Sequence, residues 1–261
     1  MDSQGIPRDG SAMTRRILIL GGTTEARELA GALAGFDVTL SLAGRTAAPA
    51  RQPVPVRVGG FGGVAGLAEH LRAERIGLLV DATHPYAATI SAHAAEAAAL
   101  AGVALLALRR PPWRRTEGDD WIEVADVAAA VAALEEAPRR IFLALGRQEL
   151  AGFAAAPQHD YLIRSVDPVE PKLGVPCATY LLGRGPFDAG AERAMLEAHR
   201  IERIVCKNSG GVATYGKIVA ARELGLRVVM LARPVLPDMP SVGSVAEARA
   251  WTAHWAERRG V

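Results

Sequence analysis

The sequence predicts an α/β fold: two doubly wound, Rossmann-like domains with mostly parallel sheets and a cleft between them. Three observations carry this. Short aliphatic runs are continuous rather than alternating, glycine-bearing turns follow them directly, and Ala-rich stretches of helical length follow the turns. Continuous apolar strands belong to parallel sheets that are covered on both faces.

Residues 16–20 read as the first strand and 24–33 as the helix behind it. Strands at 36–42 and 54–58 follow, then a helix over 64–74 with Val64, Leu67, Ala68 and Leu71 at helical spacing. A strand at 77–81, a helix at 85–100 with Pro85 near its first position, and a strand at 103–108 come next. Residues 110–120 contain Pro111, Pro112 and Gly118 and break the rhythm as a loop or linker. A short strand at 121–124 and a helix at 126–136 lead to a restart of the pattern at 140–145. Further strands are expected at 161–165, 178–182, 203–206 and 227–231, with helices at 189–199, 212–224 and 245–257. The domain boundary is expected near 136–140, giving a nucleotide-binding domain at 15–137 and a substrate-side domain at 138–261. Residues 103–124 suit either sheet. The polar stretch 1–14 has no apolar segment behind its arginines and reads as a disordered leader.

Of the 261 residues, 50% are hydrophobic, enough for a sizeable core, and a formal net charge of +2 without a basic stripe argues against nucleic acid as a partner. Cys177 and Cys206 stand apart without metal-ligand spacing, so no metal site is legible and a reducing, cytoplasmic setting is expected. No apolar run approaches the roughly 20 residues that a membrane span requires.

The first turn concentrates Gly21, Gly22, Thr23, Thr24 and Glu25 between a buried strand and a helix. Helix N-termini offer unpaired N–H groups and a partial positive charge, which suit a pyrophosphate, and glycine admits close backbone approach. Against the G-x-G-x-x-G/A fingerprint the sequence presents Gly21, Thr23 and Ala26, so the second glycine is replaced. The plainer reading is a turn capped by threonine; its place after the first strand of an alternating chain favours a nucleotide. At the end of the second strand NAD-binding sites hold an acid. Here Ser41 and, four residues on, Arg45 stand instead, which suits the 2′-phosphate of NADP.

Asp81, Thr83, His84, Pro85 and Tyr86 gather where another apolar strand hands over to a helix, at the sheet edge where open α/β folds bind ligands. In the second half, Arg147 follows a strand and Gly146, and Lys207, Ser209, Gly210 and Gly211 form a polar glycine loop beyond another strand, with Thr214, Tyr215 and Lys217 in the helix that opens after it. Such a loop suits a phosphate or carboxylate, although it lacks P-loop spacing. Arg109, Arg110, Arg114, Arg115, Arg164, Lys172 and Arg184 add basic groups expected to border the cleft and to grip several carboxylates.

These motifs, in this order, resemble the precorrin-6A reductases of cobalamin biosynthesis over about 16–255. The resemblance implies that NADPH reduces one double bond of a polycarboxylate tetrapyrrole, precorrin-6A, to give precorrin-6B. His84, Tyr86, Lys207 and Tyr215 are the candidate proton donors, and neighbouring pathway enzymes are candidate partners. Reduction of another anionic small molecule, methyl transfer, and non-enzymatic sensing of NADP are the competing readings.

Overall fold

In the computed structural model residues 15–44 and 50–260 are described. The expected leader at 1–14, and Arg45, lie outside them.

The first sheet grows from strand β1 (Arg16–Leu20), whose last four residues are buried. Ile17 and Ile19 point to one face and Leu18 and Leu20 to the other, as the two-residue repeat of a strand requires. One face is covered by α1 (Thr24–Ala32) and α8 (Val245–Arg259), through Leu29, Ala30, Ala248 and Trp255. On the other lie α2 (Gly63–Ala73) and α3 (Ala88–Ala101), through Leu67, Leu71, Ala94 and Ala98. Strands β2 (Asp37–Leu42), β3 (Val56–Val58), β4 (Leu78–Asp81), β5 (Ala104–Leu108) and β12 (Ser241–Val242) complete an all-parallel sheet in the order β12-β5-β4-β1-β2-β3.

The second sheet is also parallel, in the order β6-β11-β10-β7-β8-β9. Its strands are β6 (Trp121–Val124), β7 (Arg140–Ala144), β8 (Asp160–Ser165), β9 (Ala178–Leu182), β10 (Arg203–Lys207) and β11 (Arg227–Leu231). Helices α4 (Val127–Ala132), α5 (Arg147–Leu150), α6 (Ala189–Ala198) and α7 (Gly216–Leu224) belong to this unit, and Leu196 of α6 and Ile218 of α7 pack on Phe142 and Ile204. Among the described residues no helix is long and apolar enough to cross a membrane.

The division of the chain differs from the expected boundary near 136–140. One unit contains Ala50–Arg109 and the segment from Leu236 onward, and the other is Arg110–Val235. Strand β6, which the sequence left open to either sheet, pairs with β11, and β12, which the sequence did not predict, pairs with β5. An apolar run states that a strand is buried, not which neighbour it pairs with. Helix starts shift for local reasons. Residues 85–86 form a turn ahead of α3. Gly210 and Gly211, at φ +68° and +69°, keep the chain out of a right-handed helix ahead of α7. Helix α4 is shorter than expected, and Glu135 beyond it has φ +69°.

Helix α8 starts with a capping box between Ser244 and Glu247 and buries Trp255 against the first unit. Trp255→Ala is expected to cost about 3–5 kcal/mol. Hydrogen exchange should report lost protection in β1, β4 and β5 while β7 and β10 keep theirs. Equal losses in both sheets would contradict the assignment of α8 to the first.

Candidate functional site

The first glycine turn is shaped by packing and left open outward. Gly21 donates its N–H to the Ser41 carbonyl at 2.9 Å. A Cβ on Gly21 would stand 2.6 Å from Leu40 Cδ1 and 3.3 Å from Ala26 Cβ, so a side chain there would crowd the buried Leu40 and the start of α1. Gly22 has φ +113° and nothing within 4 Å of where its Cβ would be. Thr23 caps α1: its Oγ1 accepts the Ala26 N–H at 3.1 Å and donates to the Ala82 carbonyl at 2.8 Å. That hydroxyl ties the first turn to the exit of β4. Thr24 is exposed and Glu25 lies half-buried in the first turn of α1. The open backbone at Gly22 fits a dinucleotide phosphate.

At the exit of β4 the structure separates residues that the sequence groups together. Asp81 is only 2% exposed. One carboxylate oxygen accepts from the Thr83 N–H at 3.2 Å and the Thr83 hydroxyl at 2.6 Å, and the other accepts from Ser91 Oγ at 2.6 Å. Expected to touch a cofactor, Asp81 instead braces its own loop against α3, and Thr83 is engaged with it. Beyond them His84 Nδ1 accepts the Tyr86 N–H at 3.3 Å, the two rings stand 5.6 Å apart, and Pro85 between them in sequence is buried. With Nδ1 accepting, the proton of the neutral ring sits on Nε2.

Ser41, at the end of β2, is 5% exposed. Its neighbour is Arg57 of β3, whose guanidinium approaches Ser41 Oγ at 3.5 Å and lies 3.8 Å over the Phe61 ring. No sequence motif marks Arg57. Its strand is three residues long and its parallel register with β2, Ser41 opposite Arg57, is a tertiary fact.

The second glycine loop is held largely by its own chain. Asn208 is buried and clamps the backbone of Trp113: Oδ1 accepts its N–H at 2.7 Å and Nδ2 donates to its carbonyl at 3.1 Å. Trp113 Nε1 donates to the Gly211 carbonyl at 2.7 Å. Ser209 presents its carbonyl to Arg110 at 2.7 Å and to Arg233 at 3.2 Å. A Cβ on Gly210 would meet the Pro111 carbonyl oxygen at 2.2 Å, so glycine is demanded there by the chain and not by a ligand.

Other basic residues differ from expectation in the same way. Lys217 is 4% exposed, donates to the Thr214 carbonyl at 2.6 Å and faces the Trp113 ring at 4.8 Å. Burial disfavours its ammonium and lowers its pKa, with Arg164 adding to the effect. Arg164 is buried in an ion pair with Glu192 and sits 3.6 Å over the Phe187 ring. Tyr215 accepts from Arg222 through its hydroxyl at 2.9 Å, and Arg222 pairs with Asp119. Lys217 and Arg164 serve the core of the second unit, because an interior charge needs a partner to remain there.

What the second sheet presents at its carboxyl edge is mixed. Lys207, ending β10, pairs with Glu149 of α5 at 2.5 Å. Arg147 and Arg184 are exposed. Exposed aliphatic side chains also follow strands of this sheet: Val166 after β8, Leu182 ending β9, and Val212 after β10, at 46%, 64% and 90% exposure. Aliphatics at strand ends read as core from sequence, and their exposure appears only in the structure. Among the described residues no group of three His, Cys, Asp or Glu is gathered to hold a metal ion.

Residues 16–253 match the family described as precorrin-6x reductase CbiJ/CobK. A precorrin-6A reductase from Sinorhizobium sp. is 57% identical, with 95% of this chain and 96% of that protein aligned. One from Rhodobacter capsulatus is 49% identical over 94% of this chain and 99% of its own length. A solved structure titled CobK precorrin-6A reductase superposes with a TM-score of 0.89 at 49% identity, covering 93% of this chain and 97% of that one.

Asn208→Ala leaves the buried N–H and carbonyl of Trp113 without partners and is expected to lower stability by about 1–3 kcal/mol in urea unfolding. Cys206 provides a local readout. Its thiol is pushed up to about 11 by burial, whereas Cys177 is exposed. At pH 8 a disulfide reagent should label one thiol quickly in the native protein and two after unfolding. Rapid labelling of both in the native chain would contradict the burial of β10.

Proposed function

This chain belongs to the precorrin-6x reductase family CbiJ/CobK, and on that premise we propose that its first unit holds NADPH and its second holds the tetrapyrrole. It is an oxidoreductase acting on a CH–CH group, and it reduces precorrin-6A in cobalamin biosynthesis. The observation that carries this reading is 57% identity along nearly the whole of both chains, with no large insertion to house a different substrate.

The phosphorylated cofactor is supported by Ser41, in place of an acid, at the end of β2, and by the open turn at Gly22. When bound, NADPH supplies a hydride. The chain's own task is then to orient and to protonate. Gly21, Gly22, Thr23 and the first turn of α1 bind the pyrophosphate, with Thr24 and Glu25 at its margin. Asp81 and Thr83 set the path of the loop that carries His84, Pro85 and Tyr86. We assign the proton for the neighbouring carbon to the His84–Tyr86 pair, because the loop that carries it leaves β4 beside the open first turn, to which Thr23 ties it.

A partly reduced tetrapyrrole has an apolar ring and carboxylate arms. Val166, Leu182 and Val212 suit the ring, and Arg147, Arg184 and Lys207 suit the arms, with Ser209, Gly211 and Thr214 in the loop between. Arginine binds carboxylates in a two-point fork, which also fixes orientation. Both cysteines are free thiols, which suits a reducing compartment, and we place the enzyme in the cytoplasm.

Purified protein mixed with NADPH and precorrin-6A should oxidise one cofactor per pigment reduced, with both visible signals moving together. KM for the pigment should rise between low and high salt, since screening acts over about 8–10 Å at physiological ionic strength, while the rate at saturation falls less. Tight NADPH binding with no oxidation by the pigment would overturn the reductase reading.

His84→Gln should lower the saturated rate roughly 10²-fold or more, the scale of a lost general acid, without weakening NADPH binding. An unchanged rate with an unchanged pH profile would remove His84 from the proton path.

A further inference from the structure

Parallel Rossmann-like sheets choose between the two nicotinamide dinucleotides at the end of their second strand. A carboxylate there accepts from the ribose 2′-hydroxyl; a cation there receives a 2′-phosphate. In this chain the group beside Ser41 at that point is the guanidinium of Arg57, which reaches it across the β2–β3 pairing from the position opposite Ser41. Three of its N–H groups are spoken for. Nη1 donates to the Gly59 carbonyl at 2.6 Å and approaches Ser41 Oγ, and Nη2 donates to the Gly60 carbonyl at 2.6 Å. Of the five donors on a guanidinium, Nε–H and one Nη2–H have no partner among the described residues.

The surroundings prepare this cation for an anion. Stacking on Phe61 and the two carbonyl bonds fix its plane. Little rotamer freedom then remains to be lost on binding. Gly59, at φ +118°, and Gly60 both have nothing within 4 Å of where a Cβ would be, so the approach to the guanidinium is lined by bare backbone. Ser41 Oγ adds a neutral hydroxyl on the same spot and brings no competing negative charge.

We propose that Arg57 is the residue that reads the 2′-phosphate of NADPH, with Ser41 as its neutral companion. This rests on the reading that the first unit is the NADPH site, and it moves the discrimination from Arg45 to a residue on β3. Its test is binding rather than turnover. NADPH and NADH are titrated calorimetrically into the full chain and into Arg57→Gln, Arg57→Lys and Arg45→Ala. Arg57→Gln keeps an N–H for the glycine carbonyls and should lose NADPH affinity roughly tenfold to a hundredfold, the range for a lost charge-assisted contact, with NADH affinity held within about twofold. Arg57→Lys keeps the charge without the fork and should fall between. Equal losses for both cofactors in the two Arg57 variants would show a structural role and overturn the proposal. So would loss of discrimination in Arg45→Ala alone. A wild-type chain that binds NADH as tightly as NADPH would instead overturn the NADPH reading itself.

Discussion

Each strand pairing in the two sheets is parallel. In a parallel sheet every strand ends at the same edge, so the segments that follow the strands are brought together whatever their separation in the chain. The turn at Gly21, the loop from Asp81 to Tyr86, and Ser41 converge in this way in the first unit. Arg147, Val166, Leu182 and the loop from Asn208 to Tyr215 do so in the second. Parallel strands also need crossover helices, and those helices cover both faces of each sheet. The continuous apolar character of β1 and β4 is the chemical consequence of being covered on both sides.

Two glycine turns built on the same strand–turn–helix plan end in different physical states. At the first, Thr23 satisfies the start of α1 and Gly22 leaves its backbone open. At the second, the carbonyls of Asn208, Ser209 and Gly211 are held by Arg233, Arg110 and Trp113. A loop whose carbonyls are already bonded to its own arginines has a fixed shape before any ligand arrives. A preorganised surface of this kind loses less entropy on binding than a mobile one. The cost is that several cations serve the fold and are not available to a substrate.

The interior of the second unit carries the heavier electrostatic burden. Arg164 and Glu192 are buried as a pair, and Lys217 lies near Cys206 with its ammonium on a single backbone carbonyl. Groups of this kind hold their neighbours in place. Lys217 holds Thr214 and faces Trp113, while Trp113 and Asn208 in turn hold the glycine loop. The residues with the most polar chemistry in the sequence are therefore partly structural.

The sequence by itself determined the fold class, the positions of nearly all strands, and the family, because burial on both sheet faces and turn chemistry are written into local residue order. It also placed the glycine turns and polar loops at strand ends. The sheet memberships of β6, β12 and α8 were decided by tertiary pairing, since an apolar run does not name its neighbour. Side-chain roles followed the same division. Asp81, Lys217 and Arg164 looked like ligand groups until their partners Thr83, Ser91, Thr214 and Glu192 were seen to occupy them. Arg57, which no motif marked, acquired its place beside Ser41 from a strand register between residues 16 positions apart. Local order specifies which groups are present and which backbone they ride on; hydrogen-bond competition in the folded chain decides which of them remain available for chemistry.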